Sequence, residues 1–323
     1  MALAIKTLFD KKKLALTRAK FRAWWEGEEF DEAAALAAIE ARLSEQAAND
    51  SAAEDVLFDE PDYELPPRLV ALATLWGDGR VRPGDATAEA LEPARLGLEA
   101  DGVIAVLGPG LVAPVVSVAG AYAGKIEVFE WREETLEALK HGVRNAKLAE
   151  RVTVARIDLE AHVFAPNKYD GLLSTDDFAY CGYPPHLAQQ IGKCLKAGAC
   201  AVVETYVGLR DDALATAFAS SFAEPQIRAH GDLLQFFADA GLAVEADDDL
   251  TDEFLATARA NFKALGERLT QGGALEPAAA RELAWEAEAW RTRLKLLALR
   301  RLERRRFILR KPAQAGNTNA PAG

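Results

Sequence analysis

Short apolar runs alternate with helix-spaced segments over residues 102–247. Runs near 103–107, 125–130, 152–156, 170–174, 199–204 and 242–246 predict strands. Between them, apolar positions recur every three or four residues, as at Leu136, Leu139, Val143 and Ala146, and predict helices. Strand alternating with helix implies a largely parallel sheet covered on both faces. Val103 to Gly124 holds no charge over 22 residues, a length and apolarity that would suit a membrane span. Its punctuation reads otherwise. Gly108-Pro109-Gly110 makes a turn after the first strand, and Pro114 suits the first turn of a helix.

The flanking segments follow a different pattern. Residues 2–25 predict a basic amphipathic helix, and a second helix follows with Asp31 as N-cap and Ala34, Leu36, Ile39 and Leu43 on one face. Residues 44–54 read as a polar linker. Leu65-Pro66-Pro67 starts a helix running through Trp76, and 77–84 form a loop. Residues 249–304 predict two or more helices inserted before a final strand at 305–311. The domains expected are a helical N-terminal extension (1–57), an α/β domain (58–311) with the 249–304 insertion as a lid, and a disordered tail (312–323).

Composition adds that the 323 residues are half hydrophobic, enough for a sizeable core. The net charge of -12 argues against a protein that coats nucleic acid with its whole surface. The charge is uneven. Residues 1–25 carry +6 and 291–311 carry +9, which leaves -27 on residues 26–290. Basic ends could meet RNA or an anionic membrane, and a peripheral membrane contact through residues 2–25 stays open. The blander expectation is two solvated helical faces that also touch the acidic body. Cys181, Cys194 and Cys200 give neither a disulfide framework nor a zinc spacing, so no metal is expected. No signal peptide is recognised, and a cytoplasmic location is expected.

The turn carries the candidate chemistry. Gly108-Pro109-Gly110-Leu111-Val112-Ala113 fits GxGxxA, and Glu130 stands twenty residues beyond Gly110. Alone, this pattern suits a dinucleotide: glycines allow close backbone approach, and an acid ending the second strand accepts ribose hydroxyls.

The chain beyond it turns the argument. Glu133 to Asp158, Tyr169-Asp-Gly-Leu-Leu-Ser-Thr-Asp176 and Cys194-Leu-Lys-Ala-Gly-Ala-Cys-Ala-Val-Val-Glu204 resemble, in order and spacing, the successive units of class I S-adenosylmethionine-dependent methyltransferases. The likeness covers about residues 68–247. Trp76-Gly to Pro83-Gly84 and the segment from Leu233 through Thr251 are similar to the sarcosine and phosphoethanolamine type with small-molecule acceptors. The resemblance implies a seven-stranded, mostly parallel Rossmann-like sheet. It places S-adenosylmethionine against Gly108, Pro109, Gly110, Glu130, Trp131, Asp158, Leu159, Ser174 and Thr175. Asp176, Tyr180 and His186 become catalytic candidates, and Trp76, Asp177 and Tyr183 acceptor-pocket candidates. Two positions depart from the family: Val106 stands where an acid is usual, and Val112 where a third glycine is usual. The expectation is methyl transfer to a small-molecule or lipid-like acceptor. A nicotinamide-dependent oxidoreductase and a catalytically inactive binding or scaffold protein remain as alternatives.

Overall fold

The computed structural model describes residues 31–38, 63–98, 101–209, 212–222, 226–271 and 275–313. The helix expected at 2–25, the linker at 44–54 and residues 314–323 lie outside them. The chain divides into two compact units, Met1–Asp62 and Tyr63–Gly323. In the first, residues 32–38 are helical. Asp31 caps them as expected, its Oδ1 accepting the N–H groups of Ala33 at 2.9 Å and Ala34 at 3.1 Å.

In the second unit, helix α1 (Pro67–Trp76) begins with a proline, whose missing N–H is one that helix starts leave unpaired anyway. Asp85 caps α2 (Ala86–Arg95) by accepting the Ala88 N–H at 2.8 Å. The alternation follows: β1 (Val103–Leu107), α3 (Val112–Ala121), β2 (Lys125–Glu130), α4 (Glu133–Asn145), β3 (Val152–Arg156) and β4 (Tyr169–Thr175). Next come the single turn α5 (Asp177–Tyr180), α6 (Pro184–Cys194), β5 (Leu195–Gly208), α7 (Ala213–Phe222), β6 (Arg228–Ala229), α8 (His230–Asp239) and β7 (Ala243–Asp249). α9 (Thr251–Gln271) and α10 (Pro277–Ala298) are the insertion expected before the last strand, β8 (Leu302–Arg310).

The strands form one sheet in the order β3-β2-β1-β4-β5-β8-β7, with β6 beside β5. The first five pair in parallel, and β8 runs antiparallel to both neighbours. The strand beyond the expected seven is β6, two residues long and too short to leave a pattern. β5 departs most from expectation. Leu195 pairs with Tyr169, then pairing resumes at Cys200 opposite Gly171. Lys196 to Ala199, ahead of the strand expected at 199–204, is therefore a bulge inside one long strand, with Gly198 at φ 81° and its N–H on the Lys311 carbonyl at 2.9 Å.

Both faces of β1 are buried, which is why it reads as an unbroken apolar run. Ala105 and Leu107 pack with Ile191 of α6 and Phe237 of α8; Ile104 and Val106 pack with Val115 and Val118 of α3 and Leu139 of α4. A third cluster gathers Leu69, Leu72, Leu75 and Trp76 of α1 with Ala258 of α9 and Trp290 of α10, around Leu111 at the glycine turn. The inserted helices thus cover the carboxyl end of the central strand. The three cysteines are buried free thiols.

The basic run near the C-terminus is a helical face only in part: Arg291, Arg293 and Lys295 lie on α10, while Arg304, Arg305, Arg306 and Arg310 lie on β8. The strand portion turns inward, with Arg304 2% exposed and Arg306 6%. Arg305 pairs with Asp247 at 2.7 Å, Arg301 with Asp212 and Arg310 with Glu245. Among the described residues no helix is long and apolar enough to cross a membrane.

Candidate functional site

β1 and β4 are neighbours, but the chain order leaves them in opposite directions, so a crevice opens outside their carboxyl ends. Two turns face it: Gly108-Pro109-Gly110 after β1 and Asp176-Asp177 after β4. Gly108 takes φ 62° and Gly110 φ 81°, a region that costs other L-residues about 1–2 kcal/mol. Packing restricts both positions as well. A Cβ on Gly108 would overlap Asp177 Oδ1, and one on Gly110 would overlap Val81 Cγ2. The turn is therefore held between the end of β4 and the loop before α2.

Glu130, at the end of β2, is fully buried. Its Oε2 accepts the Gly110 N–H at 2.7 Å, while Oε1 accepts the N–H of Trp131 at 3.0 Å, the N–H of Arg132 at 2.9 Å and Arg132 Nη1 at 2.9 Å. Trp131 Nε1 donates to Asp177 Oδ1 at 2.8 Å, and Ser174 Oγ donates to Asp177 Oδ2 at 2.6 Å. The Arg132 guanidinium lies 3.8 Å from the centre of the Trp131 ring. Burial pushes the Asp177 carboxyl up to about 7, with the Glu130 charge adding and Ser174, Arg132 and Trp131 opposing. Trp131 and Arg132 thus form a cover anchored to the two buried acids beside the turn.

Asp176 sits in the left-handed region at φ 71°, its N–H on the Glu204 carbonyl at 2.8 Å. Its carboxylate pairs with Arg304 and lies 3.8 Å from Arg82 Nε. Burial alone would raise this carboxyl, but Arg304, Arg82 and Arg132 hold it below the usual carboxylate range. Arg82 Nη1 also donates to the Gly108 carbonyl at 3.1 Å. Arg306 joins Glu204 at 3.0 Å to Glu92 at 3.1 Å. Sequence reasoning missed these arginines. The signal was their alternation, Arg304 and Arg306 on one face of a strand whose other face carries Phe307 and Leu309.

Two clefts meet at Arg82. The larger, about 1190 Å³, is lined by Arg82, Trp131, Arg132, Asp176, Tyr180 and Arg293, and the exposed Trp285 borders it. The other, about 940 Å³, lies on the α2 and α3 side of the sheet and includes Pro109, Ser174, Thr175, Glu92 and Arg304.

Of the residues expected at the site, Gly108, Pro109, Gly110, Glu130, Trp131, Ser174, Thr175, Asp176, Asp177 and Tyr180 come together. The other five neither join this group nor line either cleft. Trp76 is 1% exposed and packs edge-on against Phe262 and Trp290, as part of the core that α1 shares with α9 and α10. His186 stands in the first turn of α6 with Nε2 3.0 Å from the His162 carbonyl. Tyr183 precedes that helix and is 59% exposed. Asp158 is exposed, with Oδ1 accepting the Glu160 N–H at 2.9 Å, and Leu159 belongs to the core.

No protein-family model matches the sequence, and no curated protein matches it. Solved structures do. A protein from Galdieria sulphuraria, provisionally named a sarcosine dimethylglycine methyltransferase, matches with a TM-score of 0.64 at 14% identity, over 76% of this chain and 99% of that one. Haemonchus contortus phosphoethanolamine N-methyltransferase 2, solved with phosphomonomethylethanolamine and S-adenosylhomocysteine, gives 0.65 at 18% identity over 76% of this chain and 57% of its own. The chain has the class I methyltransferase fold. A geranyl diphosphate C-methyltransferase from Streptomyces coelicolor A3(2), solved with magnesium, geranyl-S-thiolodiphosphate and S-adenosyl-L-homocysteine, shares it with a TM-score of 0.54 at 14% identity, over 70% and 76% of the two chains.

The methyltransferase fold explains one departure from the family's first motif. The Val112 side chain points at α4, where a Cβ on Gly142 would come within 2.6 Å of Val112 Cβ. The close helix approach that a third glycine would give is supplied from the opposite helix. Val106 instead faces the 940 Å³ cleft.

Proposed function

We propose that this protein is an S-adenosylmethionine-dependent methyltransferase acting on a small-molecule acceptor. The observation that carries this reading is the pairing of buried Glu130 with the Gly110 N–H at the crevice between β1 and β4. It unites the turn and the acid that a nucleoside-bearing ligand needs, on a fold whose solved members bind S-adenosylhomocysteine.

The residues fit the cofactor on one condition. Glu130 and Asp177 are the acids placed to meet it, and both are now engaged by Trp131 and Arg132. Binding would move those two side chains off the turn, exposing Glu130 to ribose hydroxyls and leaving Pro109, Ser174 and Thr175 as the adjoining wall. The bound cofactor supplies a methyl group on a sulfonium, so orientation of the acceptor provides much of the rate. Asp176 and Tyr180 line the 1190 Å³ cleft where that acceptor would stand. Burial pushes the Tyr180 hydroxyl up, so it stays protonated and donates a hydrogen bond. Asp176 stays ionised and can orient a cationic or hydroxyl acceptor. Arg82 and Arg293 give the same cleft a binding surface for an anionic group on the acceptor. The lid of α1, α9 and α10 keeps water from the reacting atoms. We place the reaction in the cytoplasm, in keeping with three reduced, buried cysteines.

The test is methyl transfer itself: protein incubated with methyl-labelled S-adenosylmethionine and a panel of amines, phosphorylated alcohols and prenyl diphosphates. A labelled product, lost in Asp176→Asn, is expected. A second reading, ligand binding without turnover, draws on Val106 and on the closed cover over the turn. It predicts cofactor binding with no labelled product from any acceptor. The nicotinamide alternative has no comparable support, since the phosphoethanolamine and geranyl diphosphate enzymes that share the fold were solved with S-adenosylhomocysteine.

A further inference from the structure

The 940 Å³ cleft is lined by two residues that carry buried polar atoms without a partner in the protein. Its floor is apolar: Val106, Leu173 and Val202 stand side by side across β1, β4 and β5. Above that floor, Glu92 of α2 uses one carboxylate oxygen for both Arg306, at 3.1 Å, and Arg95, at 3.2 Å. The other oxygen, Oε2, is buried with no hydrogen-bond partner. Arg304, 2% exposed, lines the same cleft, and its Nε–H is also buried without a partner. An unmatched acceptor and an unmatched donor, on two residues that line one cavity, are each costly unless a ligand or a small shift meets them.

We propose that this cleft seats the amino-acid end of the cofactor, with Glu92 pairing with its ammonium group and the Arg304 Nε–H with its carboxylate. The inference rests on the proposed function and goes beyond it, because it assigns a subsite to residues outside the glycine motif. It also gives Val106 a role. An acid at this position would project from β1 into the cleft, whereas valine leaves the floor open and the charge is supplied from α2.

Pro109, Ser174 and Thr175 line this cleft, so a ligand at the turn can reach into it. The charges facing Glu92 are Glu89 and Arg95 on its own helix, Arg306 on β8 and Glu204 on β5. Asp85, Glu253, Arg82 and Arg304 share the wall, and no histidine or lysine lines it. Burial and the Glu204 charge push the Glu92 carboxyl up to about 7, against Arg306 and Arg95. A ligand ammonium favours the ionised carboxylate, so binding below that pH must release a proton.

The experiment is titration calorimetry of the full chain with S-adenosylhomocysteine between about pH 6 and pH 8, in buffers of different ionisation enthalpy. The same series uses 5'-methylthioadenosine, which lacks the amino-acid end. For the wild type, affinity for S-adenosylhomocysteine should rise by up to about tenfold per pH unit below 7 and flatten above, with proton release. Glu92→Gln should remove the part of that dependence that the amino-acid end brings and weaken binding about tenfold or more at the upper end. 5'-Methylthioadenosine should show only the pH dependence that Asp177 gives to both ligands, a comparison that needs no variant. Equal pH dependence for the two ligands, or a Glu92→Gln protein that binds S-adenosylhomocysteine as the wild type does, overturns the subsite and leaves the proposed function standing. No binding of either ligand at any pH overturns both.

Discussion

The indole N–H of Trp131 donates to Asp177 Oδ1 at 2.8 Å, and this bond ties the end of β2 to the end of β4 across the glycine turn. If cofactor binding must break it, removing it should help binding. Trp131→Phe keeps an aromatic ring and loses the donor. Affinity for S-adenosylhomocysteine should rise about tenfold, the worth of one hydrogen bond to a charged group at about 1.5 kcal/mol. Fluorescence-monitored competition reads the change; weaker binding would make the indole a ligand contact and not a cover.

Asp177 and Glu92 both have raised carboxyl values of about 7, against unfolded values of 3.8 and 4.5. Between those limits the folded chain holds protons that the unfolded chain has released. Stability should therefore fall as pH rises through this window, by about 1.4 kcal/mol per pH unit for each group. Urea denaturation of the wild type and of Asp177→Asn measures it. The variant should lose one such slope and be the more stable of the two relative to its own value at low pH.

Arg304 pairs with Asp176 and, at 3.3 Å, with Glu204. Arg304→Met takes from buried Asp176 its hydrogen-bonded cation and leaves only the more distant Arg82 and Arg132, which should cost up to about 3–5 kcal/mol. Adding Asp176→Asn removes that carboxylate's charge and should restore part of that loss. Both effects are read from denaturant midpoints at constant m.

Gly110 and Gly198 share φ 81° but differ in surroundings: a Cβ on Gly110 overlaps Val81, and one on Gly198 meets nothing within 4 Å. Gly198→Ala should cost only the conformational term, about 1–2 kcal/mol. Gly110→Ala should cost more, and adding Val81→Ala should bring it back toward the Gly198→Ala value. Thermal unfolding of the wild type and these three variants distinguishes the two contributions.

The central alternation was legible because strands buried on both faces must be apolar throughout, as in Val103–Leu107, while the helices between them carry only one apolar face. Glu130 and the glycine turn were legible because they are close in sequence and share one structural unit. Arg82, Arg132, Arg293 and Arg304 were not. Arg304 meets Asp176 only when an antiparallel β8 returns beside β5, and nothing local announces such a pairing over more than a hundred residues. Trp76 misled for a related reason: an aromatic beside a glycine loop fits a pocket wall or a lid core equally well, and only the arrival of Phe262 and Trp290 decides. His186 likewise takes its position from two prolines that start a helix, not from the crevice.

The most direct test of the account is calorimetric titration of the intact chain with S-adenosylmethionine and S-adenosylhomocysteine at neutral pH. Saturable one-to-one binding of both is expected, with Glu130→Gln reducing affinity by about tenfold or more through loss of a charge-assisted hydrogen bond to the ribose. No heat and no protection against thermal unfolding at about 1 mM of either ligand, which would place any Kd well above the values such sites reach, would contradict it.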